Sequence, residues 1–128
     1  MNKKISDIAY LHTIEETHDC VIVSLIISWN GLHIFTGDGA GVVKQWGLYG
    51  GDLKLDWGEV HSSGIYAMSI NVRNTRMYLG GADGYLREYS VLNQTFLHDF
   101  GQIHDDRIII IKINRKGTML FTASEDLH

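Results

Sequence analysis

The chain has 128 residues, of which 45% are hydrophobic and 20% are charged, and its formal net charge is -4. This length allows one modest folded domain, and the balance of residues excludes the low-hydrophobicity, high-charge composition of disordered chains. A negative net charge also disfavours polyanionic partners, so neither nucleic acid nor an anionic membrane surface is expected as a partner.

The N-terminal segment and the single cysteine bear on the compartment. Residues 5–16 carry Ser, Asp, His and Glu side chains where a signal peptide needs an apolar stretch, so no export signal is expected. The longest apolar run, residues 20–29, is shorter than the roughly 18 residues that suggest a membrane span. Cys20 is the only cysteine and cannot form an internal disulfide. A cytoplasmic protein is therefore predicted, with association with the cytoskeleton or another complex left open.

Short apolar or alternating segments follow one another along the chain and predict β-strands, with glycine, asparagine and aspartate at the turns between them. The first strand of each set is apolar almost throughout, which predicts a strand that is covered on both faces and lines the interior. The later strands carry more polar residues and should lie further out. The predicted strands are near 20–28, 32–38, 42–47, 52–57, 64–70, 75–80, 85–90, 95–100 and 108–113.

The same pattern recurs at a fixed spacing. His61 follows His18, and His104 follows His61, by 43 residues in each case. Four short strands in a unit of this length are typical of a β-propeller blade. Two isoleucine columns also coincide in all three units, namely Ile22, Ile65 and Ile108, and Ile27, Ile70 and Ile113.

In these features the chain resembles the WD-repeat (WD40) family of β-propellers. The likeness rests on a histidine that opens the unit, an apolar strand, an Asp-Gly turn and a closing Trp. The second unit matches it with His61 and Asp83-Gly84, and has Tyr89 in place of the Trp. It extends from about Tyr10 to the end of the sequence. The resemblance implies an all-β fold of four-stranded antiparallel blades in an incomplete ring, with repeats at about 10–52, 53–95 and 96–128.

The resemblance also implies a structural role for the repeated polar residues. In the family, the His, a hydroxyl on the second strand, the turn Asp and a Trp on the third strand form a hydrogen-bonded set that stabilises the blade. No unit has the full set, because Ala40 replaces the first Asp, while Leu79 and Tyr89 replace the second hydroxyl and Trp. The matching members are His18, Thr36, Trp46, His61, Asp83, Tyr89, His104, Thr122 and Asp126.

Residues that recur once per blade are carried apart around a ring. They are therefore not expected to converge on one metal ion or one catalytic centre, and no cofactor is expected. Cys20 beside His18 suggests a thiol nucleophile, and a hydrolase that uses this pair is kept as one alternative. The structural interpretation is favoured, because Cys20 opens an apolar strand and aligns with Ser63 and Asp106 in the other units.

Protein binding is expected on the loops at one end of the blades, because the sheets themselves are committed to packing. That end gathers acidic residues, which favours a basic or amide-rich peptide as partner, with a merely solvated rim as the alternative. Tyr66 is the first candidate anchor, the alternative being that its ring packs between blades. The candidate protein-binding residues are Asp38, Tyr66, Asp105, Asp106 and Arg107.

The sequence thus predicts a non-catalytic scaffold that mediates protein–protein interaction within a larger protein or a multi-subunit complex. A propeller segment that presents substrate to a catalytic domain or subunit elsewhere is the second alternative. A closed propeller needs about four to eight blades, and two complete blades at most are predicted here. The chain is therefore expected to be a piece of a longer protein, one copy in a ring of copies, or a subunit completed by blades of other proteins.

Overall fold

A computed structural model of the chain describes residues 19–126. These residues form ten β-strands in two four-stranded sheets and one two-stranded sheet. They include no helix of the length and apolarity that crossing a membrane requires. The strands are β1 Ile22–Ile27, β2 His33–Asp38, β3 Val42–Gly47, β4 Leu53–Glu59, β5 Ile65–Ile70, β6 Arg76–Gly81, β7 Tyr85–Ser90, β8 Thr95–Gln102, β9 Ile108–Ile113 and β10 Leu120–Ser124.

Each sheet is antiparallel and keeps its strands in chain order. We call β1–β4 blade 1, β5–β8 blade 2 and the β9–β10 pair the third sheet. The predicted all-β architecture of four-stranded propeller blades is confirmed. The division into repeats at 10–52, 53–95 and 96–128 stays a prediction, and parts of its first and last repeats lie outside the described residues.

The fourth strand of each blade extends two residues beyond its predicted end. In β4, Gly58 adopts a φ of 73°, and its N–H donates to Asp56 Oδ1 at 2.8 Å. In β8, Gly101 adopts a φ of 81° and donates to Asp99 Oδ1 at 2.7 Å. The register shifts within both strand pairs. The glycine that suggests a strand end in the sequence thus forms a bulge, after which pairing resumes.

A glycine–isoleucine contact joins successive blades. Ile65 of β5 is fully buried and lies against Gly37 of β2, where an added Cβ would come within 3.1 Å of the Ile65 Cβ. One repeat later, Ile108 lies against Gly80, where an added Cβ would lie 2.8 Å from the Ile108 Cβ. Ser24 Oγ also donates to the Ile65 carbonyl at 2.7 Å across the first junction. The recurring isoleucine at 65 and 108 is therefore explained by packing between blades.

The cores lie between adjacent sheets. The larger core joins blade 1 to blade 2, and the Phe35 and Trp57 rings meet edge to face there with centroids 5.8 Å apart. A smaller core joins blade 2 to the third sheet through Ala67, Leu86, Ile108 and Ile111. The buried members of the larger core are Phe35, Val43, Val60, Ile65, Met68, Ile70, Met77, Leu79 and Tyr89.

The predicted burial of the first strands is correct only for β5. On β1, Leu25 and Ile27 are more than half exposed, and on β9 Ile109 and Ile110 are more than 40% exposed. The apolar residues of β5 have no such exposure, because β5 contacts both β1 and β9. The prediction of full cover for β1 and β9 was wrong, since that cover requires a further sheet beside each of them.

Candidate functional site

The loops at one end of the blades are held by the glycine turns beneath them. The Gly84 carbonyl accepts hydrogen bonds from the Ile103 and His104 N–H groups at 3.0 and 3.4 Å. Gly41 does the same for Val60 and His61 at 2.9 and 3.3 Å. These contacts place the connections between sheets at one end, which we call the loop face: residues 61–64, 82–84, 104–107 and 125–126.

His61 is buried beneath the loop face. Its Nε2 lies 3.4 Å from the Tyr85 carbonyl oxygen and 4.0 Å from Asp83 Oδ1. Its Nδ1 lies 3.4 Å from the Ser63 N–H nitrogen, which donates to it. Both contacts fit the neutral ring with its hydrogen on Nε2. Burial lowers the pKa of His61; Arg87 adds to the effect, whereas the Asp83 charge opposes it.

Because of this lowered pKa, we expect the free energy of unfolding to fall as the pH drops below 6.5, the ordinary value for histidine. The unfolded chain takes up a proton there, whereas the folded chain keeps His61 neutral, so protons favour unfolding until the lower folded-state pKa is passed. Urea unfolding at about pH 7.5 and about pH 5.5 measures this dependence. The free energy of unfolding should fall less between these two pH values in His61→Gln than in the wild type, whereas the exposed control His98→Gln should keep the wild-type fall. An equal fall in the two variants would contradict the assignment to His61.

The third sheet contains three members of the predicted polar set in contact. His104 Nε2 lies 3.0 Å from Thr122 Oγ1, and His104 Nδ1 lies 3.1 Å from Asp126 Oδ2. Asp126 Oδ2 also accepts the Asp105 N–H at 2.8 Å. The loop that carries Asp105 is therefore hydrogen-bonded to the segment that follows β10.

Blades 1 and 2 use the polar set differently. In blade 1, Trp46 Nε1 donates to Thr36 Oγ1 at 2.9 Å in the interior. His18, the third predicted member there, lies outside the described residues. In blade 2, Tyr89 donates its hydroxyl hydrogen to the Val60 carbonyl and thereby bonds to the connection from blade 1. Leu79, at the position of the hydroxyl, is fully buried in the core.

Asp38 has a different place from the one expected on the binding surface. It is 2% exposed, and its Oδ1 accepts the N–H groups of Ala40 and Val42 at 2.9 and 3.0 Å. Asp83 Oδ1 similarly accepts the Tyr85 N–H at 3.1 Å. Ala40 stands where blade 2 has Asp83 and has no polar side chain. Asp38, two residues before it, supplies the carboxylate that supports this turn. Asp38 is too buried to serve as a docking residue, which corrects the expectation from sequence.

Tyr66 and Arg107 meet at the junction between blade 2 and the third sheet. The Arg107 guanidinium carbon lies 4.8 Å from the centroid of the partly buried Tyr66 ring, a cation–π arrangement. Arg107 Nε also lies 3.2 Å from Glu125 Oε2. Asp105 and Asp106 are exposed beside them. We call these five residues the Tyr66–Arg107 surface.

The contact between Tyr66 and Arg107 could not be predicted from the sequence. The two residues are far apart in the chain, and the position one repeat before Arg107 is Gly64, so the contact does not recur. The Tyr66 ring contacts Arg107 across the junction and is partly exposed, and its role as a binding anchor stays a prediction. A search for cationic side chains opposite exposed aromatic ones becomes feasible only once the register of the blades is known.

Three observations on residues 19–126 concern the histidines and the cysteine. Residues 19–126 contain no group of three or more His, Cys, Asp or Glu side chains that could hold a metal ion. His61 and His104 each contact groups of their own sheet and its adjoining loops. Cys20 is exposed, and its proposed partner His18 lies outside the described residues.

Comparison with known proteins identifies the fold. No protein-family model matches the sequence, and no curated protein does so either. Among solved structures, the chain is similar to the crystal structure of the RRP9 WD40 repeats, with a TM-score of 0.78 and 18% sequence identity. The match covers 87% of this chain and 34% of that chain, so this chain spans about a third of that structure's length. The chain therefore has the fold of WD40 repeats, with two four-stranded propeller blades and two strands of a third among residues 19–126.

Proposed function

We propose that the chain is a non-catalytic scaffold that binds other proteins through the Tyr66–Arg107 surface, as part of a larger protein or complex. The observation that carries the proposal is that the repeated polar residues and the residues of the Tyr66–Arg107 surface have different surroundings. The repeated polar residues, such as His61 and His104, are turned inward and hold the loops in place. Tyr66 and its charged neighbours remain accessible. A rigid base with an accessible aromatic residue and charges is typical of a protein-binding surface.

The charges of this surface indicate the kind of partner. Asp105, Asp106 and Glu125 outnumber the single cation Arg107, and Arg107 is already paired with Glu125. A basic or amide-rich segment complements this balance, because opposite charges guide encounter and disfavour wrong partners. The flat, partly exposed Tyr66 ring offers the apolar contact at the centre.

The double variant Tyr66→Ala/Arg107→Ala tests the proposal. Quantitative affinity capture from native extract, combined with crosslinking and mass spectrometry, compares it with the wild-type chain. We expect the proteins that crosslink to the loop face to be captured about tenfold less by the variant, as for the loss of an interface anchor. Asp105→Asn/Asp106→Asn should weaken capture of the same proteins.

The control for this experiment is Lys54→Gln on the exposed outer strand β4, which should capture these proteins as the wild type does. Thermal unfolding of each variant verifies that the fold is retained. Undiminished capture by a folded Tyr66→Ala/Arg107→Ala variant would show that this surface is not where partners bind.

A further inference from the structure

A cleft with positive charge lies at the opposite end of the blades from the loop face. Its walls are the β5–β6 turn, residues 71–75, and the β9–β10 turn, residues 114–119. The cleft has a volume of about 320 Å³. Among residues 19–126, no carboxylate lines it, although the chain as a whole is acidic. Its cationic lining residues are Arg73, Arg76, Arg115 and Lys116.

Three of these four cations form no ion pair with a carboxylate of residues 19–126. Arg76 Nε lies 3.4 Å from Glu88 Oε2. Within residues 19–126, no such ion pair is made by Arg73, Arg115 or Lys116. Three exposed cations therefore line one cleft, where a bound anion would relieve the repulsion between their like charges.

The turns do not need these cations for their own structure. All three equivalent turns close with the same backbone hydrogen bond, from Asn74 to Asn71, from Gly117 to Asn114 and from Gly31 to Ser28, each at 2.9 Å. Arg73 and Lys116 occupy the same position of successive turns, one repeat apart. Blade 1 makes its turn with Asn30 at that position. A neutral residue is therefore sufficient for folding there.

The two charged turns also provide a rigid base. Asn71 Oδ1 accepts the N–H groups of Thr75 and Arg76 at 2.8 and 2.9 Å. Asn114 Oδ1 accepts those of Thr118 and Met119, both at 2.9 Å. Because the backbone of these turns is held in this way, less backbone conformational entropy is lost when an anion binds.

We propose that this cleft binds an acidic peptide segment of a partner protein, through Arg73, Arg115 and Lys116. The negative charge comes from Asp and Glu side chains or from phosphoserine, to which guanidinium and ammonium groups donate charge-assisted hydrogen bonds. The exposed side of Val72 offers an apolar contact beside the charges. No aromatic side chain of the described residues lines the cleft, so they provide no stacking platform of the kind used for single-stranded nucleic acid, which favours a peptide.

Fluorescence anisotropy with the full chain tests the proposal. The probes are three labelled peptides of the same length, in which glycine alternates with glutamate, with phosphoserine or with glutamine. We expect the glutamate or the phosphoserine peptide to bind, the stronger of the two identifying the source of charge, and the glutamine peptide not to bind. Binding should weaken with added salt, because screening shortens to about 8 Å at 0.15 M ionic strength.

The decisive variant is Arg73→Asn/Lys116→Asn, which installs the residue that blade 1 uses at this turn position. Affinity should fall about tenfold, as expected for the loss of two charge-assisted contacts. The charge-matched control Lys54→Gln/Lys112→Gln removes two exposed cations elsewhere and should bind the peptide as the wild type does.

Two results would overturn this inference. One is equal affinity of the Arg73→Asn/Lys116→Asn variant and its control for the acidic peptides. The other is binding of a single-stranded oligonucleotide, but of neither acidic peptide, that depends on the same two cations. The result is separable from that for the loop face, because Tyr66→Ala/Arg107→Ala leaves the cleft intact and Arg73→Asn/Lys116→Asn leaves the Tyr66–Arg107 surface intact.

Discussion

Replacement of Gly84 by alanine is expected to lower the free energy of unfolding by about 3 kcal/mol or more. A Cβ at this position would lie 2.0 Å from the His104 carbonyl oxygen, and the residue has a φ of +80°. The clash is with backbone, which cannot rotate aside as a flexible side chain does. The connection to the third sheet would have to move away and lose its hydrogen bonds to Gly84. Urea unfolding followed by circular dichroism measures the change.

Two further glycines separate the causes of this loss. Gly41→Ala should cost a similar amount, since its Cβ would lie 2.0 Å from the His61 carbonyl oxygen. Gly31 also has a positive φ, of +71°, but nothing lies within 4 Å of an added Cβ. Gly31→Ala should therefore cost only about 1 kcal/mol, from the backbone conformation alone. Equal losses at positions 31 and 84 would disprove the role of the close approach.

Replacement of Ile65 by alanine is expected to cost about 3 kcal/mol. The side chain is fully buried in the core between blades 1 and 2. Its neighbour Gly37 has no side chain that could fill the cavity, so the surrounding structure can relax only in part. The hydrogen bond from Ser24 goes to the backbone of residue 65 and is retained, so the loss comes from packing. Urea unfolding provides the measurement.

Ile109→Ala is the matched control for this change. Ile109 is 42% exposed on β9, and its replacement should cost less than about 1 kcal/mol because less apolar surface returns to water. A loss at position 65 as small as that at position 109 would show that the junction between the blades contributes little to stability.

The strands could be predicted from sequence because each of their signals is local. Alternation and turn residues lie within a few positions of the strands they define, and the 43-residue recurrence repeats the same order of strands from one unit to the next. The bulges at Gly58 and Gly101 were not predicted, because a glycine is equally typical of the end of a strand. The exposure of Leu25 and Ile110 was not predicted for another reason. An apolar strand has the same sequence whether or not a neighbouring sheet covers it.

The candidate site was harder to predict because its contacts depend on tertiary geometry. Asp38 aligns with Gly81 in the repeat, so its position in the alignment gave no sign that its carboxylate supports the turn. The stacking of Arg107 on Tyr66 joins two units and occurs once. Arg73 and Lys116 occupy the same position of the two turns that line the cleft, one repeat apart. This recurrence of positive charge is visible in the sequence once the turns are aligned.

The glycine–isoleucine contacts join each sheet to the adjacent sheet. Blade 2 is gripped on both sides, by Gly37 against Ile65 and by Ile108 against Gly80, whereas each junction involves only adjacent sheets. In such a stack, the free energy is a sum over units and the interfaces between them. In this description, opening one interface leaves the contacts of the other interface in place. The loss of stability caused by an Ile→Ala substitution therefore depends on which of the two interfaces it weakens.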